Sequence, residues 1–454
     1  MALTVLVVSS LLIVLATRPG GSRPSRRGPA WWWAFSAFGV QLVYLGLTAA
    51  KVVAEDNQVI GQLSLAPMIV VGVVVAVRAA RTGGSVAMGA LLCLAPVVVT
   101  SAYILAGYSL LSPAQAILIF LAAVVVPRAG HDREEILDAL RCSLRAGAAT
   151  LLVLAVVRVP TLIGDCRFDK CSSWGGQIGA AGSANALGMS LAFVGVVAVM
   201  ELPWWRAGVV LGSVYLLVDL CSSRSALFPL ALGAAALLGE RALRGGSLVS
   251  VWRTVTFVVT GTFITLIAVL PWLPNDFTDR GSLWLAARDL IADRPWLGYG
   301  VSYWVRLPQT ATFYPNYAVH NLLLEMLVSF GVLGTLVLMA GIVATRWSVP
   351  TPSIPLWSLT TVCWLAGGVT EVLSAPGRVY LLPAVFVLPF MFAAGPRVEP
   401  PPPALAPPVE GMRSTAPTIV VPRLVPLAER RVGDLRPRLL VPLVSTGPRE
   451  RVRG

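Results

Sequence analysis

The chain reads as an all-α protein, a polytopic transmembrane helix bundle of about 12–13 spans. Three observations predict this. Hydrophobic residues make up 56% of the sequence and charged residues 13%, about half the charge of a soluble domain. Apolar stretches near the ~20 residues that a bilayer demands recur along most of the chain. The arginines, finally, collect in every second connection between those stretches, which is the charge asymmetry of membrane proteins. Mean hydropathy is +0.77.

The first segment, Ala2 to Thr17, is apolar, and its positive charges (Arg18, Arg23, Arg26, Arg27) follow it. A secretory signal carries them before the apolar run, so this segment is expected to be a membrane helix with its N-terminus outside. Further spans are expected near 31–50, 58–77, 84–106, 111–127, 145–163, 179–201, 206–221, 226–239, 254–273, 318–345, 356–374 and 379–395. Pro113 and the Ser222–Ser225 break make 84–127 and 206–239 alternative candidates for re-entrant segments. The tail from Gly395 is rich in Pro and Arg, cannot bury a core, and is expected to be disordered. Three regions follow: 1–145, N-terminal helices; 146–395, the candidate functional region with a large loop at 274–317; and 396–454, the tail.

Alternation places 18–30, 78–83, 128–144, 202–205, 240–253, 346–355 and the tail on one side, with Arg78, Arg81, Arg128, Arg133, Arg141, Arg241, Arg244, Arg253 and Arg346 among their charges. That side is expected to be cytoplasmic. The formal charge of +13 is thereby accounted for without nucleic acid. Cys93, Cys142, Cys221 and Cys363 lie in or beside apolar spans, where thiols pack as small hydrophobes. Cys166 and Cys171 instead flank a short polar loop, with no His nearby to complete a metal site. They read as a disulfide, which requires an oxidising compartment, and alternation independently puts their loop outside.

The outer side carries the chemistry. In Arg280-Gly-Ser-Leu-Trp-Leu-Ala-Ala-Arg-Asp-Leu-Ile-Ala-Asp293, residues Leu283, Trp284, Ala287, Leu290 and Ile291 share one helical face, which predicts a helix lying on the membrane surface. Trp296, Tyr299, Tyr303, Trp304, Phe313, Tyr314 and Tyr317 follow, as an interfacial belt with room for one or two sugar-stacking rings. Arg224 and Arg280 fall on the outer side against the positive-inside trend. Snorkelling explains such residues, but a guanidinium also matches phosphate oxygens bidentately, and the second reading is preferred for these two. Arg288 and Arg294 read as surface residues. His320, one of two histidines, opens a long apolar helix beside Asn321 and Glu325. Those polar groups would be costly against lipid, so they are expected to face a water-filled cavity, where an imidazole serves as a general base near neutral pH.

Three stretches carry a resemblance to a known family. They are Gly179-Ala-Ala-Gly-Ser-Ala-Asn-Ala-Leu-Gly188, Ser223-Arg-Ser-Ala226, and Arg280-x-x-x-Trp284 followed by Pro295-x-x-Gly-x-Gly300 and His320-Asn321…Gly331-x-x-Gly334. In order and sidedness the chain resembles the O-antigen ligase and Wzy-type polymerase superfamily of bacterial polytopic membrane enzymes. The resemblance implies cofactor-free, metal-independent glycosyl transfer on the outer face of the inner membrane. The donor would be a glycan on undecaprenyl pyrophosphate and the acceptor a glycan, lipid or protein. By that resemblance Arg224 and Arg280 would hold the pyrophosphate, His320 would activate the acceptor hydroxyl with inversion at the anomeric carbon, and Asn185, Trp284 and Asn321 would be further substrate contacts.

Two other classes fit parts of the sequence. A transferase using polyprenyl-phosphate sugars would place an acidic pair in its first outer loop, where Glu55-Asp56 stands. A transporter or flippase of lipid-linked glycans would use charges within spans, for which Arg158 and Asp219 are the candidates.

Overall fold

The computed structural model describes residues 1–18, 27–54, 63–72, 74, 133–166, 171–179, 181–243, 246–300, 303, 319–372, 385 and 388. The expected spans at 84–106 and 111–127, nearly all of 379–395, the Glu55-Asp56 pair and the Pro/Arg-rich tail lie outside these residues. The chain divides into Met1–Arg397, which holds every described residue, and Val398–Gly454.

The regular secondary structure of the described residues is helical apart from one short hairpin. In order they form α1 (Ala2–Ala16), α2 (Pro29–Ala34), a π turn (Phe35–Gly39), α3 (Val40–Ala49), α4 (Leu63–Gly72), α5 (Arg133–Val157) and α6 (Val159–Leu162). The hairpin β1 (Ile163–Gly164) and β2 (Gln177–Ile178) is next. It leads to α7 (Ala181–Ala198), α8 (Trp204–Leu220), a 3-10 turn (Arg224–Ala226), α9 (Leu227–Ala242), α10 (Leu248–Val269), α11 (Asp276–Asp293), α12 (Leu322–Ser348) and α13 (Ile354–Gly367). Among the described residues, four helical segments are long and apolar enough to cross a membrane: Pro29–Ala49, Arg133–Val157, Leu248–Val269 and Leu322–Trp347. Pro29 sits in the first turn of its helix, where its missing N–H leaves no bond unmade.

Helix α7 is the hub. It packs against α3, α5, α8, α9 and α13, and from Ala186 to Met200 every side chain is buried. Its sequence permits this because it has no charge and because small residues let neighbours approach. A Cβ at Gly195 would meet Val214 at 2.8 Å, and one at Gly188 would meet the Cβ of Ser223 at 2.6 Å. The peripheral α10 does the opposite: Leu248, Val251, Val255, Val258 and Val269 stand exposed along one stripe, an apolar face turned away from the protein.

One end of the bundle is an arginine end. Arg141 Nε donates to Ala198 O (3.0 Å), and Arg241 Nη2 donates to Met200 O (2.7 Å) and Val199 O, so two neighbours cap the C-terminus of α7. Arg133 pairs with Glu201, and Arg253 with the buried Glu240.

Three expectations need correction, and the Ser222–Ser225 break takes a definite form. Helix α5 begins at Arg133, inside the stretch expected to be a loop (128–144), because its polar residues find partners on other helices: Asp138 accepts from Trp31 Nε1 at 2.7 Å. The Ser222–Ser225 break is a 3-10 turn joining two separate helices. Helix α11 does not offer its apolar face to a surface; Leu283, Trp284 and Ala287 are buried, and the helix packs on α12. Arg288, read as a surface residue, donates through Nε to Ala268 O (2.8 Å) and closes the end of α10.

Candidate functional site

At the end opposite the arginine caps, chain segments far apart in sequence converge on one carboxylate, Glu371. Helix α13 stops at Gly367, and the chain turns out of it through Gly368. A Cβ at Gly368 would lie 2.5 Å from the Cβ of Leu322, and Leu322 N donates to Gly368 O at 2.8 Å. This glycine contact brings the start of α12 against the segment 368–371. Asn321 completes the junction: Oδ1 caps α12 by accepting from Leu324 N (3.0 Å), while Nδ2 donates to Ile264 O (3.1 Å) and Val369 O (3.0 Å).

His320 precedes this cap with φ +59°, a left-handed conformation that a non-glycine residue keeps only where its surroundings impose it. Its Nδ1 donates to Glu371 Oε1. Arg280 Nη2 donates to Glu371 Oε2 at 3.1 Å, and Asn185 Nδ2 donates to the same oxygen at 2.6 Å. The Glu371 side chain is 4% exposed. A buried carboxylate is tolerable only with donors of this kind around it, and here it has an imidazole, a guanidinium and an amide.

The supports are equally specific. Arg280 Nη1 donates to Ser225 Oγ (3.0 Å) and to Thr370 O (2.6 Å). Ser223 Oγ donates to Asn185 Oδ1 (2.6 Å), which orients the amide so that Nδ2 faces Glu371. The Ser223-Arg-Ser225 turn thus places one hydroxyl on Arg280 and one on Asn185, with the exposed Arg224 between them. Arg280 itself follows three residues in the left-handed region, Phe277, Thr278 and Asp279, which turn the start of α11 toward the junction.

The motif glycines explain one another. Helix α12 breaks at Gly331 (φ 61°, ψ −171°), a conformation essentially reserved to glycine. The segment Pro295–Gly300 fills the break with main-chain bonds: Val332 N to Pro295 O (2.7 Å), Leu333 N to Trp296 O (3.2 Å), Tyr299 N to Val328 O (2.8 Å) and Gly300 N to Ser329 O (3.0 Å). A Cβ at Gly331 would stand 2.3 Å from Trp296 C, and one at Gly298 2.6 Å from Gly331 N. Beside this crossing, Tyr299 donates to Asp293 and stacks on Tyr303 with centroids 4.2 Å apart. Burial, then the Asp293 hydrogen bond, push its hydroxyl up to about 12, so it remains a neutral donor.

Of the residues singled out from sequence, His320, Arg280 and Asn185 meet directly at Glu371, and Arg224 stands on the adjoining turn. Two are placed otherwise. Trp284 is fully buried against Trp272 and Phe277, with centroids 5.2 and 5.3 Å away, so it offers no face to a substrate. Asn321 is fully buried and spends its amide on the helix cap and the clamp, so it positions His320. The expected water-filled cavity beside Asn321 and Glu325 is also corrected: both are buried, and Glu325 Oε2 accepts from Val319 N at 3.3 Å. Cys166 and Cys171 form a disulfide with Cα atoms 4.8 Å apart. Asp219, a candidate transport charge, instead accepts from Ser173 N (3.0 Å) and Ser173 Oγ (3.2 Å). Arg158 is exposed beyond the end of α5.

Glu371 itself was missed in the sequence. The signal was available, since it is the sole acid in the expected span 356–374 and an acid within a span marks a functional site by default. Chemically, the cluster joins a proton acceptor to an orienting carboxylate and a fixed cation. Among the described residues no group of three or more His, Cys, Asp or Glu forms a metal site. Neither the known protein families nor the curated proteins contain a match to this chain.

Proposed function

We propose that this protein is a polytopic glycosyltransferase of the bacterial inner membrane, similar in chemistry to the O-antigen ligases and Wzy-type polymerases. It transfers a glycan from undecaprenyl pyrophosphate to an acceptor hydroxyl on the extracytoplasmic face. The observation that carries the reading is the buried His320–Glu371–Arg280 cluster, in which one carboxylate is shared by an imidazole and a guanidinium. Glu371 engages Nδ1, which makes Nε2 the nitrogen that takes the proton. As the acceptor oxygen loses its proton to Nε2 it attacks the anomeric carbon and forms the new glycosidic bond. The bond to the pyrophosphate oxygen breaks on the opposite side, the configuration inverts, and undecaprenyl pyrophosphate leaves with the electron pair. Glu371 stabilises the imidazolium that results, as an acid partnered to a catalytic histidine does. Arg224 and Arg280 meet the charge developing on the leaving group, where a fixed cation lowers the barrier most. The sidedness is supported by the arginines gathered at the opposite end of the helices.

The test is transfer by the purified protein supplied with extracted undecaprenyl-pyrophosphate glycans. Wild type is expected to transfer. His320→Ala and Arg280→Ala are expected to lose transfer while remaining folded by thermal denaturation. Retained transfer in His320→Ala removes the general base and with it the mechanism.

A second reading, a transporter of lipid-linked glycans, is favoured by one observation: the break of α12 at Gly331, since broken helices line transport sites. The main-chain bonds from Pro295–Gly300 already satisfy that break, so the transferase reading is preferred. Movement of labelled lipid across liposomes without turnover would reverse the preference.

A further inference from the structure

Asp219 stands in the last turn of α8, where the helix dipole disfavours an acid. It does not contact the Glu371 cluster, and the proposed mechanism gives it no task. It does hold a neighbouring element, because its carboxylate takes both the backbone N–H and the hydroxyl of Ser173, at 3.0 and 3.2 Å. Ser173 belongs to the hairpin between α6 and α7, whose two strands pair only through Ile163↔Ile178 and Gly164↔Gln177. So short a ladder does not stand alone. The Cys166–Cys171 disulfide closes it, Gly179 N donates to Leu162 O at 3.0 Å, and Ser172 Oγ donates to Gly176 O.

From Asp219 the chain runs directly into the arginine turn. Asp219 O accepts from Ser222 N at 2.7 Å, and Val218 O accepts from Ser223 N at 3.3 Å. Ser222 lies at φ +50°, a left-handed conformation that a serine adopts when its flanks are held. One flank is Ser223, tied to Asn185 at 2.6 Å. The other is Asp219, tied to the hairpin. Arg224 is therefore anchored from both sides, once through the Glu371 network and once through the disulfide-closed hairpin.

We infer that Asp219 is a positioning residue, through which the Cys166–Cys171 hairpin holds the turn that presents Arg224 to the diphosphate of the lipid-linked donor. The inference rests on the transferase reading for the ligand of Arg224, but the mechanical link stands on the contacts alone. The disulfide then acts as a strut on the outer face, and its loss loosens Arg224 while leaving His320, Glu371 and Arg280 in place.

The full-length purified protein tests both parts. In the first arm Arg224→Cys is labelled with a membrane-impermeant maleimide, alone and combined with Asp219→Ala or with Cys166→Ser/Cys171→Ser. Both combinations are expected to raise the labelling rate by about 10-fold, the equivalent of losing one charge-assisted hydrogen bond. Unchanged rates overturn the strut, whatever the protein catalyses. In the second arm Arg224 is intact and transfer from undecaprenyl-pyrophosphate glycan is measured. Asp219→Ala is expected to raise KM for the donor about 10-fold and to leave kcat within about 2-fold. Asp219→Asn, which keeps an acceptor for Ser173, is expected to recover most of the loss. The Asp219→Ala/Cys166→Ser/Cys171→Ser variant is expected to be no worse than either parent, because residues acting as one unit are not additive. An unchanged KM in Asp219→Ala, with a raised KM in Arg224→Ala, overturns the positioning role and leaves the transferase reading standing. An unchanged KM in Arg224→Ala overturns the donor role of that arginine and the positioning role together.

Discussion

Glu371 shows how much one side chain can organise. Its oxygens are shared by His320, Arg280 and Asn185, and its side chain is nearly sealed from solvent. Glu371→Gln keeps the volume but removes the charge that stabilises an imidazolium. It is expected to lower kcat by about 10²- to 10⁴-fold, the range of a general-base step, and to lower the melting temperature as Arg280 loses its buried counter-charge. A loss of less than about 10-fold would show that the pair does not serve proton transfer. Glu371→Ala goes further, because it removes the acceptor oxygens as well as the charge and leaves the His320, Arg280 and Asn185 donors without their shared partner. Breaking a buried pair from one side costs about 3–5 kcal/mol in either variant, and the donors left unsatisfied by alanine add about 1–3 kcal/mol each, so Glu371→Ala is expected to melt below Glu371→Gln in thermal denaturation. Asn321→Ala separates positioning from chemistry. It removes a helix cap, about 1 kcal/mol, and two further hydrogen bonds of about 1 kcal/mol each. A lowered melting temperature is the expected result, and an unchanged one would mean the clamp on Ile264 and Val369 contributes nothing.

Among the elements, α12 carries the main compromise. A continuous helix from Leu322 to Ser348 would satisfy its own backbone, yet it opens at Gly331 to admit Pro295–Gly300. The exchange is even: the groups freed at the break are bonded by the incoming segment, so a structure containing unpaired buried amides is avoided. Gly331→Ala forces a β-carbon into the Trp296 backbone and a non-glycine residue into a glycine-only conformation. The two effects together cost roughly 2–5 kcal/mol. Hydrogen exchange at Tyr299 and Gly300, whose amides bond Val328 and Ser329, is expected to accelerate strongly in that variant. Protection equal to wild type would show that the segment docks without the break. The hub helix α7 follows the opposite logic: it stays straight and lets Gly188 and Gly195 bring its neighbours close.

For the molecule as a whole the decisive property is which end faces which compartment. The arginines that cap α7 and pair with Glu201 and Glu240 lie at one end, and the Glu371 junction, the hairpin and the Arg224 turn lie at the other. If the first end is cytoplasmic, a cysteine replacing Gly175 in the hairpin is expected to react with an impermeant maleimide in intact cells. One replacing Trp205 at the start of α8 is expected to react only after permeabilisation. The reverse pattern would put the Glu371 cluster on the side where a lipid-linked donor is not presented, and the proposed chemistry would have nothing to act on.

The amino-acid sequence by itself determined that the protein is helical and where the described apolar helices lie, since burying a backbone in hydrocarbon or in a tight bundle requires long uncharged runs. It also singled out His320, Arg280, Arg224 and the Cys166–Cys171 pair, because charged groups and paired thiols stand out in so apolar a chain. Tertiary structure alone decided the rest. The first turns of α5 are polar and read as a loop, yet Trp31 and Ala198 on other elements give Asp138 and Arg141 their partners. Trp284 reads, by resemblance, as a substrate contact until Trp272 and Phe277 enclose it. Asn321 reads as a substrate contact until Ile264 and Val369 claim its amide. Glu371 drew no reading from sequence, and its place became evident only where a histidine 51 residues away and an arginine 91 residues away share its oxygens. Apolar length is a local property of the chain, whereas the partner of a buried polar group is chosen by the fold.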